Sequence, residues 1–194
     1  MFKSKIFKKK TIGLIIGAIV IMTAAISNDS NSYANNNSDV NASNESIEYN
    51  GTTYKIIQVD GCDLSGSRQA NVAVDVGYGD RIYWALTNEH GQLINVIANK
   101  MTLQDGNTEQ LTSDGRYYND EAKVPGTERK DLDKGHVIAD SLGGVSNAYN
   151  ITPQNSTLNR HGNQAYMEKV IRDAGGCESF VGTITYPDTT TQIP

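Results

Sequence analysis

Alternating and continuous runs of β-branched and aromatic residues indicate where this chain forms strands. Five such runs, separated by loop residues, occupy positions 54–59, 72–76, 82–87, 93–98 and 180–186. The runs at 82–87 and 93–98 flank Asn-Glu-His-Gly, which predicts a β-hairpin with His90 in a solvated turn. Residues 99–130 are polar and irregular and predict a long connection, a kind of loop that often borders a functional site.

The pattern after residue 130 predicts a smaller unit in which two strands precede a helix. Short segments at 137–139 and 150–154 favour strands, the second being too short and too proline-containing for a helix. From about Ser156, apolar residues recur at helical spacing as far as Ala174, and Gly175-Gly176 predicts the end of the helix. Together with the earlier strands, this order predicts an α+β fold built on an antiparallel central sheet.

The N-terminal region has the pattern of a secretory signal. Five lysines precede an apolar run at 11–26, and Ser32-Tyr33-Ala34 supplies small residues at the expected cleavage position. We therefore expect residues 1–34 to be a signal peptide and the mature protein to be secreted. The alternative is an uncleaved membrane anchor, although the 16-residue run is shorter than the ~20 residues that span a bilayer.

Composition divides the remainder of the chain into two parts. Residues 35–47 are rich in Asn and Ser and predict a disordered linker, because they offer little apolar surface to bury. Residues 48–194 have the length of one domain. No closing element follows the last predicted strand, which leaves a missing C-terminal piece as an open alternative.

Charge narrows the kind of partner that the mature chain can bind. Removal of residues 1–34, which hold five lysines and one aspartate, changes the formal net charge from −5 to −9. A protein that holds nucleic acid mainly by its overall charge carries a basic surface. A polyanion site in this chain must therefore be local, with a metal ion and a few Arg and Lys side chains in an acidic surround.

The two cysteines, Cys62 and Cys177, suit an exported protein with one bridge. We expect a Cys62–Cys177 disulfide, with two free thiols as the alternative. The sequence has no Cys-x-x-Cys pair, which argues against a structural zinc site.

Candidate chemistry is concentrated between residues 133 and 172. His136 follows Asp133-Lys134-Gly135, where glycine allows a close approach of backbone or ligand. Asn159, Glu168 and Arg172 follow on the predicted helix, the last two at i, i+4 on one face. Each also has an ordinary reading, as a polar residue near a helix N-terminus or as a surface ion pair. The spacing of these residues alone does not decide between a catalytic site and these ordinary roles.

The amino-acid sequence of the motif favours a catalytic site over these ordinary structural roles. The run D-K-G-H-x-I-A-D-S-L-G-G, followed by N-I-T-P-Q and L-N-R, resembles the DNA/RNA non-specific endonuclease family, whose signature is D-R-G-H. That family belongs to the ββα-metal, or His-Me finger, nucleases. The resemblance is close from Asp133 to about Arg172 and loose in the upstream strands. It implies a ββα-metal catalytic motif within the α+β fold.

The resemblance also implies roles for individual residues. By the family's pattern, His136 is the general base, Asn159 is the metal ligand and Glu168 organises metal-bound waters. Arg172 matches the arginine four residues later, and Asn150 matches an asparagine that supports the site. Asn159 and Glu168 are about one residue further apart in the sequence than the corresponding residues of well-known members. Asn163 or His161 could compensate for part of this difference.

Phosphate contacts are expected from three cations. Lys134 occupies the position of the arginine in the family signature, so a compact ammonium group replaces a planar guanidinium group. Arg116 and Arg129 lie in the long connection and are further candidates for substrate binding, with simple solvation as the alternative.

These residue types suit metal-assisted cleavage of a phosphodiester. A neutral imidazole accepts a proton from water near its reference pKa of ~6.5. Mg²⁺, with Mn²⁺ as an expected substitute, keeps several waters and needs few protein ligands. Such a site reads few bases, so we expect DNA as the substrate, with RNA as a further one. No membrane association is expected after signal cleavage, and an inhibitor protein and the oligomeric state are left open.

Two other functions are compatible with parts of the sequence. His136, Asp140 and Ser141 could form a Ser/His/Asp hydrolase, although the sequence has no G-x-S-x-G elbow. A non-catalytic exported module on the same scaffold would bind nucleic acid without shortening it. The effect of EDTA on activity would distinguish the serine hydrolase from the nuclease, because only the nuclease needs a metal ion.

Overall fold

A mixed sheet of eight strands and a separate pair of strands make up the framework of this protein. The computed structural model describes residues 20–25, 41–42 and 45–194. The large sheet contains β1 (Val20–Ala25), β2 (Asn41–Ala42), β3 (Ser46–Tyr49), β4 (Thr52–Ile56), β5 (Val72–Asp75), β6 (Tyr83–Thr87), β7 (Leu93–Ala98) and β10 (Ser179–Ile184). The separate pair is β8 (Leu132–His136) with β9 (Ile151–Asn155), and the helices are α1 (Ser156–His161), α2 (Asn163–Asp173) and a 3-10 turn at Asp140–Leu142.

The order of strands in the large sheet is β1-β10-β7-β6-β5-β4-β3-β2. Every neighbouring pair is antiparallel except β4 and β5, which run parallel. The predicted α+β fold with a largely antiparallel central sheet is therefore confirmed. The parallel pair is possible because residues 57–71 form a long connection, whereas an antiparallel pair needs only a tight turn.

The central hairpin forms where the sequence predicts it. β6 and β7 pair antiparallel from Tyr83–Ala98 to Thr87–Leu93. The turn between them ends at Gly91, whose φ of 70° lies in the left-handed region that favours glycine. His90 is exposed in this turn, as predicted.

The two faces of the sheet are buried in different ways. Val74, Ala85 and Val96 point into the main core, which they share with Ile138 and Ile171 from the layer that contains β8, β9 and α2. The alternate residues of the same strands point to the other face, where a smaller cluster is formed by Ile47, Tyr49, Tyr54, Ala73, Leu86 and Ile97. One face of the large sheet thus packs against the layer that contains β8 and β9.

The N-terminal predictions fall partly outside the described residues. Residues 1–19 and 26–34 of the predicted signal peptide are not described, and residues 20–25 form strand β1 beside β10. The signal peptide stays a prediction. Of the predicted linker, residues 35–40 and 43–44 also lie outside the described residues, whereas residues 41–42 and 46–47 belong to strands. Ile47 pairs with Tyr54 and is completely buried. Within the part of the chain that the structure describes, no helix has the length and apolar character needed to cross a bilayer.

The expected disulfide is wrong, because both cysteines are free thiols. Cys62 is exposed, and its backbone N–H and its thiol both contact the carboxylate of Asp60. Cys177 is buried, and its backbone forms an isolated antiparallel β-bridge with Met101. Local contacts therefore hold each cysteine in a different part of the fold.

The long connection at 99–130 contains neither a helix nor a strand of the sheets, as predicted. Its course is fixed by side chains instead. Arg81 donates to the backbone oxygens of Thr102 and Leu103, and its guanidinium pairs with Glu109 at 2.5 Å. This anchoring holds the loop beside the β8–β9 layer.

Candidate functional site

Strand β8 carries the signature residues and pairs antiparallel with β9. The register places Lys134 opposite Pro153 and His136 opposite Ile151. The strand predicted at 137–139 is wrong in position: β8 ends at His136, and Val137 and Ile138 continue into the core. Gly135 lies against the side chain of Gln154 on β9, which would have to move to accommodate a Cβ at this position. The close approach expected at this glycine is therefore made by a neighbouring side chain.

The predicted single helix is broken into two at Gly162. This residue is extended, with φ −103° and ψ −151°, and its N–H still bonds the carbonyl oxygen of Leu158 at 3.0 Å. Asn155 caps the first helix by accepting hydrogen bonds from the N–H groups of Thr157 and Leu158. The predicted end of the helical segment is confirmed, because α2 stops at Asp173 and Ala174 caps it just before the glycine pair. Asn159 and Glu168 consequently lie on different helices.

His136 is held in a mostly buried position at the end of β8. Its side chain is 11% exposed. Its Nε2 lies 3.3 Å from the hydroxyl oxygen of Ser146 and 3.6 Å from Oδ2 of Asp140. Burial lowers the pKa of His136 below its ordinary value, against the opposing pull of Asp140 and Glu121, and Arg116 lowers it further. The imidazole is therefore neutral near pH 7.

Asn159 is oriented by a carboxylate on the signature strand. Its amide nitrogen donates to Oδ2 of Asp133 at 3.3 Å. Arg160 donates to both oxygens of the same carboxylate, at 2.6 and 2.7 Å. These hydrogen bonds, led by those of Arg160, lower the pKa of Asp133 and keep it ionised. Among the described residues no hydrogen bond reaches the amide oxygen of Asn159, so this oxygen is available to a cation.

One face of α2 carries three polar side chains spaced four residues apart, Gln164, Glu168 and Arg172. Gln164 donates to Oε1 of Glu168 at 2.9 Å and to the backbone oxygen of His136 at 3.2 Å. Arg172 lies 3.6 Å from Oε2 of Glu168 and donates to the hydroxyl of Ser141 at 3.2 Å. This face therefore connects the end of β8 with the 3-10 turn.

Gln164 is a site residue that the sequence interpretation missed. The extra residue before Glu168 was assigned to Asn163 or His161, but both are exposed. The helical spacing contained the signal, because Gln164 stands four positions before Glu168 and so shares its face.

Asn150 lies in the core behind the site and does not face solvent. Its side chain is fully buried. Its oxygen accepts from the N–H of Ile138 at 2.9 Å, and its nitrogen donates to the carbonyls of Ile138 and Val145 at 2.8 and 2.7 Å. All of its hydrogen-bonding groups are thus engaged in closing the loop that follows His136. This geometry suits the supporting role implied by the resemblance.

Two of the three expected phosphate contacts lie near His136. Lys134 donates from Nζ to the backbone oxygen of Glu121 at 3.1 Å. Arg116 pairs with the Glu121 carboxylate at 2.7 Å, and its Nε lies 3.4 Å from Oδ2 of Asp140. The guanidinium is therefore shared between two carboxylates beside the imidazole.

Arg129 is placed differently from the other two cations. It is 53% exposed and pairs with Asp131, two residues along the chain, through Oδ1 at 3.1 Å and Oδ2 at 2.7 Å. Among the described residues, its side chain has no hydrogen bond or ion pair with a residue of the candidate site. The structure therefore does not bring Arg129 together with His136.

The donor set fits a hard cation with few protein ligands. Within the described chain, no group of three or more His, Cys, Asp or Glu side chains is arranged to hold a metal ion. The amide oxygen of Asn159 is free, and the Glu168 carboxylate lies on the adjoining helix with 19% of its side chain exposed. Oxygen ligands of this kind suit Mg²⁺, which retains most of its water shell.

The geometry argues against a serine hydrolase at His136. The hydroxyl of Ser141 is engaged by Arg172. Ser146 does approach the imidazole but is fully buried. Ser146 and Asp140 also face the same ring nitrogen, whereas a relay needs the serine and the carboxylate on opposite nitrogens.

The candidate site thus consists of an antiparallel strand pair followed by two helices, with His136 at the end of β8 and Asn159 on α1. The family model for DNA/RNA non-specific endonucleases matches residues 71–179, or 109 of the 194 residues. The chain therefore belongs to the DNA/RNA non-specific endonuclease family, which supports a nuclease acting on nucleic acids. Comparison with curated proteins gives no match.

Proposed function

We propose that this protein is a secreted, Mg²⁺-dependent endonuclease that hydrolyses phosphodiester bonds in DNA and in RNA. The observation that carries the proposal is the largely buried imidazole of His136, on a residue whose backbone carbonyl accepts a hydrogen bond from Gln164 on the polar face of α2. The family match at residues 71–179 supports the choice of a nucleic acid as the substrate. Secretion rests on the signal-like pattern of residues 1–34.

His136 is the general base in this proposal. Its imidazole takes a proton from a water molecule, which then attacks the phosphorus. Because burial keeps the imidazole neutral, the base form is already present at physiological pH. The hydrogen bond from Gln164 to the His136 carbonyl fixes the end of β8 relative to α2, so the base and the helix face keep their separation.

Asn159 and Glu168 would hold the cation. Asn159 offers its amide oxygen because Asp133 engages its amide nitrogen, and Glu168 would order the water shell. When bound, such an ion supplies charge neutralisation at the phosphate and at the departing 3′-oxygen. We expect Mn²⁺ to substitute for Mg²⁺, since both accept oxygen ligands.

Arg172 contacts the non-bridging phosphate oxygens. Its side chain is 40% exposed and its ion pair with Glu168 is long, at 3.6 Å, so the guanidinium can turn toward a substrate at little cost. Contacts of this kind address the backbone of the nucleic acid and carry no sequence information. Cleavage is therefore broad with respect to sequence.

The decisive experiment is incubation of the mature protein with supercoiled plasmid and, separately, with RNA, in the presence of Mg²⁺ or EDTA. We expect Mg²⁺-dependent conversion of plasmid to nicked, linear and shorter products, and degradation of RNA. Binding without shortening in Mg²⁺ would instead indicate the non-catalytic binding module. Cleavage that survives EDTA would remove the metal-dependent mechanism.

A further inference from the structure

The environment of Nε2 of His136 indicates which ring nitrogen carries the hydrogen. Two oxygen atoms face this nitrogen, the hydroxyl of Ser146 at 3.3 Å and Oδ2 of Asp140 at 3.6 Å. An ionised carboxylate can only accept a hydrogen bond. A lone pair on Nε2 would point at that negative oxygen, whereas an N–H would be attracted to it. The contact therefore favours the tautomer with hydrogen on Nε2.

Asp140 is fixed in place by groups from the long connection. Its Oδ1 accepts a hydrogen bond from the backbone N–H of Tyr117 at 3.0 Å, and its Oδ2 lies 3.4 Å from Nε of Arg116. Only 12% of its side chain is exposed, so solvent screens the carboxylate little. Asp140 also opens the 3-10 turn, whose hydrogen bonds fix its backbone.

We propose that Asp140 is a positioning residue whose carboxylate, 3.6 Å from Nε2, attracts the Nε2–H of His136 and so leaves Nδ1 as the proton acceptor. This inference rests on the proposed role of His136 as general base. In the step concerned, the proton leaves water for Nδ1, the hydrogen on Nε2 stays in place, and the positive charge of the imidazolium lies beside the Asp140 carboxylate. Asp140 does not itself exchange a proton.

The groups around the imidazole act in opposite directions. Asp140 from the 3-10 turn and Glu121 from the long connection favour the imidazolium, whereas burial and the Arg116 guanidinium favour the neutral ring. Ser146 contributes a neutral oxygen. A carboxylate at this place therefore stabilises the charge that forms during proton transfer, while burial keeps the ring neutral beforehand.

The tautomer can be read without any assay of activity. In the full mature protein labelled with ¹⁵N, long-range ¹H–¹⁵N spectra distinguish the protonated nitrogen of a neutral imidazole from the unprotonated one. The chain has three histidines, and H136Q identifies the signals of His136. We expect hydrogen on Nε2 in the wild type, and a mixture or the reverse tautomer in D140N, whose amide can donate to Nε2. Hydrogen on Nδ1 in the wild type would overturn the proposal, including when D140N does not fold.

Kinetics of D140N provide the second test. Loss of the carboxylate should lower kcat on plasmid by roughly 10- to 100-fold with little change in KM, because the base is misoriented while substrate contacts stay. The acid limb of the pH–rate profile should also move to lower pH, since a group that favours the imidazolium is removed. D120N is the matched control: Asp120 is exposed, and no hydrogen bond or ion pair of its side chain is seen among the described residues.

The outcomes separate this inference from the proposed function. If the wild type cuts nucleic acid and D140N folds with unchanged kcat and an unmoved acid limb, the role of Asp140 is wrong and the nuclease stands. If the wild type does not cut at all, the proposed function fails, and the NMR tautomer still decides whether Asp140 orients the ring. Equal losses in D140N and D120N would overturn the positioning role.

Discussion

His136 combines burial with a surround of charged groups, and the balance between them sets its chemistry. Burial lowers its pKa, although Asp140 and Glu121 act in the opposite direction. A buried imidazole that was already protonated could not act as a base. The neutral state is thus the property on which the proposed mechanism depends most directly.

The first prediction concerns that imidazole itself. His136→Ala should reduce plasmid cleavage by at least about 10²-fold, because general-base catalysis contributes roughly 10²- to 10⁴-fold. Gel assays measure the loss, and thermal unfolding measured by circular dichroism should show a cooperative transition in the variant. H90A, which changes an exposed turn, is the control. Substantial residual cutting by H136A would remove His136 as the base.

The second prediction concerns the pH dependence of cleavage. Only the neutral imidazole accepts a proton, and the pKa of His136 lies below its ordinary value. The rate at saturating Mg²⁺ should therefore rise with pH and reach half its plateau below about pH 6.5. Plasmid cleavage measured from mild acid to neutrality checks this. A half-plateau well above about pH 6.5 would point to another base.

The third prediction concerns the amide of Asn159. Asn159→Ala removes an oxygen that no group of the described chain engages, so metal binding should weaken while the fold is retained. Cleavage should fall and be partly restored by excess Mg²⁺, as measured in a Mg²⁺ titration. N163A, on an exposed position of α2, should leave the titration curve in place. An unchanged midpoint in N159A would exclude Asn159 as a ligand.

At the scale of elements, the break at Gly162 places Asn159 and Glu168, the proposed metal-binding and water-ordering residues, on separate helices. A Cβ at this position would lie 2.7 Å from the carbonyl oxygen of Leu158, too close for an ordinary contact. The extended glycine separates α1 from α2, so that Asn159 and Glu168 need not follow one helical spacing. Their relative placement is therefore set by the backbone at Gly162.

The loop between β8 and β9 supplies the fourth prediction. Asn150→Ala would leave the N–H of Ile138 and the carbonyls of Ile138 and Val145 without their partner in a buried setting. At roughly 1–3 kcal/mol for each unsatisfied buried group, partly relieved by relaxation, we expect a loss of about 2–4 kcal/mol in the free energy of unfolding. Urea unfolding measures this loss. A change within about 0.5 kcal/mol, as expected for N163A, would contradict the supporting role.

Secondary structure was predictable where local patterns carry it. The β6–β7 hairpin and the end of α2 follow from alternation and from turn glycines, which act over a few residues. The position of β8 was not predictable in this way, because Leu132–His136 includes charged residues and a glycine and has little intrinsic preference for a strand. Pairing with β9 decides it.

At the scale of the whole molecule, charge distribution shapes substrate binding. The formal net charge is −5 for the full sequence and −9 for the predicted mature chain. In the proposed mechanism, attraction to a polyanion therefore comes from local cations such as Arg172 and Lys134, while the net negative charge of the chain repels it. Salt screens the repulsion between distant charges more than the contacts within the site.

The fifth prediction follows from this balance. Raising NaCl from about 20 to about 100 mM at constant Mg²⁺ should leave the KM for plasmid unchanged or lower it, whereas basic binders lose affinity steeply with salt. Initial rates over a range of plasmid concentrations measure KM. Repeating the series with sodium acetate controls for specific anion effects. An increase in KM of more than about tenfold would show that charge attraction dominates.

The sequence by itself determined the residue types of the site, the family resemblance and most of the strands. These depend on side-chain chemistry and on patterns within a few positions. Only the tertiary structure decided that Asp133 orients Asn159, that Gln164 joins β8 to α2 and that Asp140 faces the imidazole. It also decided that the two cysteines stay apart. Such contacts join elements that are distant in the chain, and they depend on how the layers pack, which local patterns do not encode.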